Sequence, residues 1–238
     1  MLALCLMLAT AAAPAPAHAE WTALLKTYVH SGEVDYRGLK EHAAVLNGYL
    51  RTLVAVKDAK ALPPGERMAF WINAYNAYTV RLILDHYPVD SIRSIGLLPG
   101  AAFRQGFIPL TGKELSLNGI EDRLRAMKDP RIHFALVCAS KSCPELRPEA
   151  YTGARIEAQL DDAARRFLAD KRKNRFDAPD RTLRVSSIFK WYRGDFEGAG
   201  GSLESWLVRY APAAAGPALR GGGAKIEFLD YDWSLNGR

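Results

Sequence analysis

Two cysteines five residues apart carry the most reactive side chains of this sequence. Cys138 and Cys143 lie in the segment RIHFALVCASKSCP, residues 131–144. An apolar run of strand length ends at Cys138, and a turn of small and polar residues follows it. The pattern predicts a buried central strand over 131–138, with the thiol where the chain leaves the sheet, a common place for ligand sites. Cys138 is therefore a candidate nucleophile.

A nucleophilic cysteine needs a base or cation that lowers its pKa and a further group that orients the base. His133 is close in sequence, but on a flat strand it would point away from Cys138, because the separation of the two residues is odd. It can reach the thiol only if the strand bulges or if the chain has already turned at the cysteine. His86 is the alternative base, and Glu121 is the best placed acidic residue to orient a base.

The helix predicted over 66–86 and the turn after the cysteine contain candidate substrate-binding residues, namely Trp71, Asn73, Asn76 and Ser140. Asn73 and Asn76 share one face of a helix that is otherwise apolar nearly all round. Their amides need partners there, since an unsatisfied buried amide costs about 1–3 kcal/mol. They brace the neighbouring backbone, or they line the pocket and hold a substrate carbonyl or orient an imidazole, and both roles are possible together. The first two backbone amides after the cysteine could form an oxyanion hole.

Two other classes of function use the same residues. In one, Cys138 and Cys143 form a disulfide, and a non-catalytic envelope protein binds a glycan or a partner protein through aromatic residues. In the other, His133 and both cysteines bind zinc, although the sequence has no C-x-x-C pair and no evident fourth ligand. We expect no metal and no organic cofactor, since neither a P-loop nor a G-x-G-x-x-G segment occurs. The aromatic residues in question are Trp191, Tyr192, Tyr231 and Trp233.

The first 19 residues, MLALCLMLATAAAPAPAHA, predict a secretory signal peptide that ends in an A-x-A cleavage site. Their apolar run is too short to span a bilayer, so we expect no stable membrane insertion after cleavage. Because the usual positive charges are missing at the beginning, we expect the true start to lie upstream of Met1. The mature protein, residues 20–238, is then periplasmic or secreted.

The charge of the chain bears on its partners. It has 32 basic and 26 acidic residues, and its formal net charge of +6 suits an anionic envelope or an acidic polymer. The densest cationic cluster, between Arg165 and Arg175, closes a predicted helix, where cations interact favourably with the helix dipole. We therefore expect no nucleic-acid partner, and instead an envelope small molecule, peptide or glycan.

Helices and strands alternate irregularly along residues 20–238, which indicates a single α+β domain. Apolar periodicity predicts helices over 21–29, 39–56, 66–86, 116–127, 152–171 and 202–210. Strands are predicted over 131–138, 182–186 and 225–233, and they should form one small mixed sheet packed by helices. We expect the aromatic helix 66–86 to be buried against that sheet. The irregular stretch 89–115 could form a wall or a lid of the pocket.

Five separated segments together resemble the bacterial, exported branch of the Domain of Unknown Function 547 family. They are FWINAYNAY at 70–78, SLNGIE at 116–121, DPRIHFALVCASKSCPELRP at 129–148, FKWYRGDF at 189–196 and LDYDWSLN at 229–236. The resemblance implies one α+β domain in which the cysteine matching Cys138 is the more typical of the pair. Plant relatives often carry serine at the position of Cys143, which is unlike an obligatory disulfide. The sequence departs from the family at Asp122, where many bacterial relatives have histidine, so a role for that histidine does not transfer.

These residues lead to one functional hypothesis. Cys138 would be the nucleophile of an exported hydrolase or acyltransferase acting on amide or ester bonds in the cell envelope, with His133 and Glu121 as the other catalytic residues. The alternative is the non-catalytic binding protein with a Cys138–Cys143 disulfide.

Overall fold

The longest helix of the chain, Pro64–His86, is buried on most of its sides. In the computed structural model, which describes residues 16–177, 181–215, 219 and 224–238, it begins at a proline whose missing N–H breaks no helical bond. Its middle turns carry apolar side chains in every direction, and Phe70, Ile72 and Ile83 are fully buried. A helix that is apolar all round has to be surrounded by other elements. The predicted burial of the aromatic helix is confirmed, but the helix is surrounded by other helices and is not buried against the sheet that contains residues 182–186.

The other helices pack around this one or around a second, smaller apolar cluster. In chain order, the α-helices are α1 (Ala19–Tyr28), α2 (Tyr36–Glu41), α3 (Ala43–Ala55), α4 (Pro64–His86), α5 (Ala101–Arg104), α6 (Leu117–Arg125), α7 (Ile156–Ala169), α8 (Ile188–Trp191), α9 (Arg193–Gly200) and α10 (Leu203–Tyr210). Short 3-10 turns occur at Ala59–Ala61, Ile92–Ser94, Pro130–Phe134, Gly153–Arg155 and Ala213–Ala215.

The strands are few and short: β1 (Val29–His30), β2 (Glu33–Val34), β3 (Ile108–Leu110), β4 (Lys113–Leu115), β5 (Arg175–Asp177), β6 (Thr182–Ser186) and β7 (Lys225–Leu229). The largest sheet has the order β5-β6-β7, in which β5 runs antiparallel and β7 parallel to β6. β1 and β2, and likewise β3 and β4, form separate antiparallel pairs. The α+β class and the small mixed sheet are therefore confirmed, although β7 ends at Leu229 and β5 lies where a polar connector was expected.

The predicted strand over 131–138 is wrong. Pro130–Phe134 forms a 3-10 turn, and Asp129 caps it by accepting a hydrogen bond from the backbone N–H of Arg131 at 3.0 Å. Aspartate followed by proline is a helix-starting pair, because the carboxylate accepts a free N–H and proline needs no donor. The apolar run is buried because Ile132 and Val137 pack in the large cluster and Phe134 in the smaller one. A ligand site at the end of a central strand therefore cannot be inferred from this segment.

Several helix boundaries differ from the predicted ones. The helix expected over 39–56 is divided into α2 and α3 at His42. Ser116 and Ser202 cap α6 and α10 through their side chains, whereas Thr152 accepts no capping bond and a 3-10 turn precedes α7. Of the predicted signal peptide, only residues 16–19 belong to the described part of the chain. No helix in the described ranges is long and apolar enough to cross a membrane.

Candidate functional site

An open cavity of about 280 Å³ lies where the two apolar clusters meet. It brings together Cys138, His133 and Glu121, which the sequence singled out as candidate catalytic residues. Residues 100–104 supply part of its wall, as proposed for the irregular stretch 89–115. The aromatic residues Trp191, Tyr192, Tyr231 and Trp233 also line it, together with Tyr75, Asn118, Leu136, Cys143, Pro144 and Ile188.

The C-terminal segment holds the turn that follows Cys138. Ala139 has a φ of +57°, a left-handed conformation that costs about 1 kcal/mol outside glycine. The backbone N–H of Asn236 donates to the Ala139 carbonyl at 3.1 Å, and that of Lys141 donates to the Ser234 carbonyl at 2.9 Å. This antiparallel run places the ring of Tyr231 beside the thiol. The strained turn is thus fixed by a segment that lies about 90 residues later in the chain.

Asn76 fixes the chain on the other side of Cys138. Its side-chain amide donates to the Ala135 carbonyl at 2.9 Å and accepts from the backbone N–H of Val137 at 2.9 Å. Asn73 binds both backbone groups of Tyr151 in the same way, at 2.8 and 3.0 Å. Both asparagines are almost fully buried, and neither lines the cavity. They brace the backbone, which was one of the two predicted possibilities, and the structure does not bring them to a substrate position.

The Cys138 thiol is surrounded by hydrogen-bonding groups. Its Sγ lies 2.7 Å from Cys143 Sγ, 3.1 Å from Ser140 Oγ and 3.3 Å from Tyr231 Oη. Burial on its own would raise the pKa, but hydrogen bonds from Cys143, Ser140 and Tyr231, and from the backbone of Ser140, lower the pKa of Cys138 to about 7. The Ser140 amide expected in an oxyanion hole thus stabilises the thiolate here. A substantial fraction of Cys138 is therefore ionised at neutral pH.

Cys143 has the opposite character. It is buried, and burial together with the neighbouring Cys138 holds the pKa of its thiol well above the usual range. Both cysteines are free. Because Cys138 loses its proton first, the S–H of Cys143 can donate to the Cys138 thiolate. Cys143 Sγ also accepts a hydrogen bond from the Cys138 backbone N–H at 2.7 Å.

His133 is held by a carboxylate that the sequence analysis did not identify. Its Nε2 lies 2.8 Å from Asp195 Oδ2, and its ring stacks on Tyr192 with the centroids 3.9 Å apart. Arg125 binds both oxygens of Asp195, at 2.7 and 3.0 Å. Burial lowers the pKa of His133 to about 4 even though Asp195 opposes this shift. At neutral pH the imidazole is therefore uncharged, donates from Nε2 to Asp195 and keeps a lone pair on Nδ1.

Glu121 lines the same cavity but makes no hydrogen bond or ion pair with His133 in the described part of the chain. Burial raises its pKa, and a hydrogen bond from the Tyr192 hydroxyl and the charge of Arg125 limit that increase. Asp195 therefore takes the orienting position that was assigned to Glu121. One sequence feature could have identified Asp195: it is the sole acidic residue of the segment FKWYRGDF, residues 189–196. No hydrogen bond joins His133 to Cys138 among the described residues, although both line the same cavity.

Three other predicted residues do not line the cavity. His86 is exposed at the end of α4, and its Nδ1 lies 2.9 Å from the Leu82 carbonyl of its own helix. Trp71 lines a different cavity beside Arg123. Ser140 is buried and touches the thiol without lining the cavity. Within the described ranges, no three histidine, cysteine or acidic residues are grouped as a metal site would require.

A partly exposed aromatic wall closes one side of the cavity. Trp191 is 47% exposed, and its ring lies 4.8 Å from Tyr231 and 5.8 Å from Trp233, centroid to centroid. Phe103 meets the edge of Trp233 at 6.3 Å. Flat aromatic faces of this kind bind apolar groups and sugar rings. The wall can therefore hold the part of a substrate that does not react.

Comparison with known proteins identifies a sequence family and nothing further. Residues 59–168 match the family model described as Protein of unknown function, DUF547. Residues 59–168 are therefore a DUF547 region. The matched range contains α4, α6 and both cysteines, whereas Asp195, Trp191, Tyr231 and Trp233 lie beyond it. No curated protein and no solved structure matches this chain.

Proposed function

We propose that this protein is an exported cysteine-nucleophile hydrolase or acyltransferase that acts on amide or ester bonds in the cell envelope. The observation that carries the proposal is the Cys138 thiol, whose pKa of about 7 leaves a thiolate in an open cavity next to a histidine–carboxylate pair. A thiolate present at neutral pH is the form of cysteine that attacks acyl carbons.

The proposed reaction has two steps. In the first, Cys138 Sγ attacks the carbonyl carbon, and a thioester forms as the alcohol or amine leaves with a proton. Glu121 is suited to supply this proton, because burial raises the pKa of its carboxyl. In the second, water or an acceptor nucleophile attacks the thioester and gives up a proton. His133 is suited to take it, since it is neutral at pH 7 and Asp195 stabilises the imidazolium that forms.

The substrate class follows from the aromatic wall and the predicted export. An envelope small molecule, peptide or glycan would stack on Trp191, Tyr231 and Trp233 while its ester or amide reaches Cys138. Export rests on the leader sequence, residues 1–19. Mass spectrometry of protein from the native host should find a mature N-terminus at or near Glu20. A retained leader would remove the periplasmic or secreted assignment.

A second function competes because the two sulfurs are so close. In an oxidising compartment, Cys138 and Cys143 could form a disulfide, which would leave a non-catalytic envelope protein that binds a glycan or a partner through the aromatic wall. The two functions predict different effects of the single cysteine mutations on stability and activity. Under the disulfide hypothesis, Cys138→Ser and Cys143→Ser should lose equal stability in oxidising buffer, about 2–4 kcal/mol each. Under the catalytic hypothesis, Cys138→Ser should lose activity and little stability.

The experiment that tests catalysis traps the acyl-enzyme. Reduced protein is mixed with a panel of p-nitrophenyl esters, and the protein is analysed by intact and peptide mass spectrometry. We expect one acyl group on Cys138, none in Cys138→Ser, and acylation retained in the matched variant Cys143→Ser. His133→Ala should form the adduct but release it slowly. Acylation that persists in Cys138→Ser would reject the proposal.

A further inference from the structure

A second cavity, of about 850 Å³, lies at the N-terminal end of α4, and its lining is strongly cationic. Five basic side chains face it, and Asp58 is the sole acidic residue in the lining. The cavity thus carries an excess of four positive charges, in a chain whose net charge is +6. The basic residues are Lys57, Lys60, Arg67, Lys113 and Arg123.

None of these five cations pairs with a carboxylate of the described residues. Within the described ranges, none of the five makes an ion pair, whereas Arg131 elsewhere in the chain binds three carboxylates and Arg147 binds two. Arg67 donates to the Lys60 carbonyl, and Arg123 lies over the Trp71 ring at 5.5 Å. Like charges held in one cavity repel each other, and an anion that enters relieves this repulsion.

The remaining lining gives the cavity an apolar floor. Trp71, Met68 and Met127 supply it. The first residue of α4, Pro64, also lines the cavity, and no side chain caps the N-terminus of this 23-residue helix. The positive end of the helix dipole therefore adds to the field of the cations. The combination suits a ligand with several anionic oxygens attached to a flat or apolar body.

We propose that this cavity binds a ligand carrying two or more phosphate groups. Arginine and lysine together at a helix N-terminus are the usual protein partners of phosphate, because guanidinium binds two oxygens at once and lysine acts as a point charge. The phosphates belong either to a soluble molecule or to a lipid headgroup. Binding here does not depend on Cys138, since the two cavities share no residue.

Isothermal titration of the full chain with inorganic tripolyphosphate at low salt tests the site. The variant Lys60→Gln/Lys113→Gln changes two exposed lysines of the cavity, and Lys26→Gln/Lys171→Gln removes the same charge from exposed lysines elsewhere. We expect the wild type to bind, the cavity variant to lose at least about tenfold in affinity, and the control to change by less than about twofold. Because all four side chains are exposed, none of these changes disturbs the core.

Two further binding measurements identify the chemical class of the ligand. Co-sedimentation with cardiolipin vesicles, whose lipid headgroup carries two phosphates, but not with phosphatidylcholine vesicles, would identify a lipid headgroup if it depends on Lys60 and Lys113. Tripolyphosphate binding without vesicle binding would identify a soluble phosphate ligand. Citrate binding as tight as that of tripolyphosphate would overturn the assignment to phosphate. The proposal is also overturned if neither phosphate probe binds or if the control variant loses as much affinity as the cavity variant.

Discussion

Replacing Asn76 by alanine should destabilise the protein and also make Cys138 less acidic. The asparagine makes two buried hydrogen bonds, each 2.9 Å long, to the backbone of Ala135 and Val137. Alanine leaves a carbonyl and an N–H buried without partners, and each costs about 1–3 kcal/mol, so the free energy of unfolding should fall by about 2–6 kcal/mol. For a chain of this size, the melting temperature should fall by about 10 °C.

Asn73→Ala is the matched control, because Asn73 makes the same pair of bonds to Tyr151, away from the thiol. Thermal melts of both variants should show similar losses. The alkylation rate as a function of pH, measured at 20 °C, should separate them. Only Asn76→Ala should raise the pKa of Cys138, because it loosens the segment that aligns the thiol with Ser140 and Tyr231. Melting within 1 °C of wild type, or equal thiol pKa values in the two variants, would refute the reasoning.

Three further substitutions test other parts of the account. Tyr231→Phe removes the hydroxyl that donates to Cys138 Sγ at 3.3 Å. The pKa of Cys138, measured from the pH dependence of alkylation, should therefore rise by about one unit. An unchanged pKa would exclude this hydrogen bond. Thr79→Val replaces a buried hydroxyl that lacks a hydrogen-bond partner among the described residues. The melting temperature should therefore stay the same or rise. A fall of several degrees would show that the hydroxyl does have a hydrogen-bond partner. The pKa of His133 is depressed from 6.5 to about 4, so unfolding takes up a proton and stability is lost as the pH falls between those values. We expect the free energy of unfolding, measured by denaturant titration, to fall between pH 7 and pH 4.5 by about 2–3 kcal/mol more in the wild type than in His133→Gln. Equal decreases in the two proteins would contradict this.

The features that depend on local sequence could be predicted. An all-round apolar segment with Pro64 at its start gives a buried helix, and the helices predicted over 116–127 and 202–210 form as Leu117–Arg125 and Leu203–Tyr210. Cys138 and His133 do line one cavity. The prediction failed at 131–138, because a short buried apolar run looks the same in a strand and in an irregular segment between two clusters. There the Asp129-Pro130 pair was the better signal.

The features that depend on contacts distant in sequence could not be predicted. Asp195 reaches His133 from 62 residues away, and Tyr231 reaches Cys138 from 93 residues away. Periodicity and spacing carry no information about such pairs. Asn76 could be assigned neither to bracing nor to substrate binding, because its partners are backbone groups that any residue provides.

The central claim is that Cys138 is a thiolate near neutral pH, and alkylation kinetics test it most directly. Reduced protein is treated with iodoacetamide from pH 5 to 10, and each cysteine is followed by peptide mass spectrometry. Modification of Cys138 should have its midpoint near pH 7, while buried Cys143 should react only after unfolding. A midpoint at the ordinary cysteine value of about 8.5, or equal reactivity of the two thiols, would contradict it.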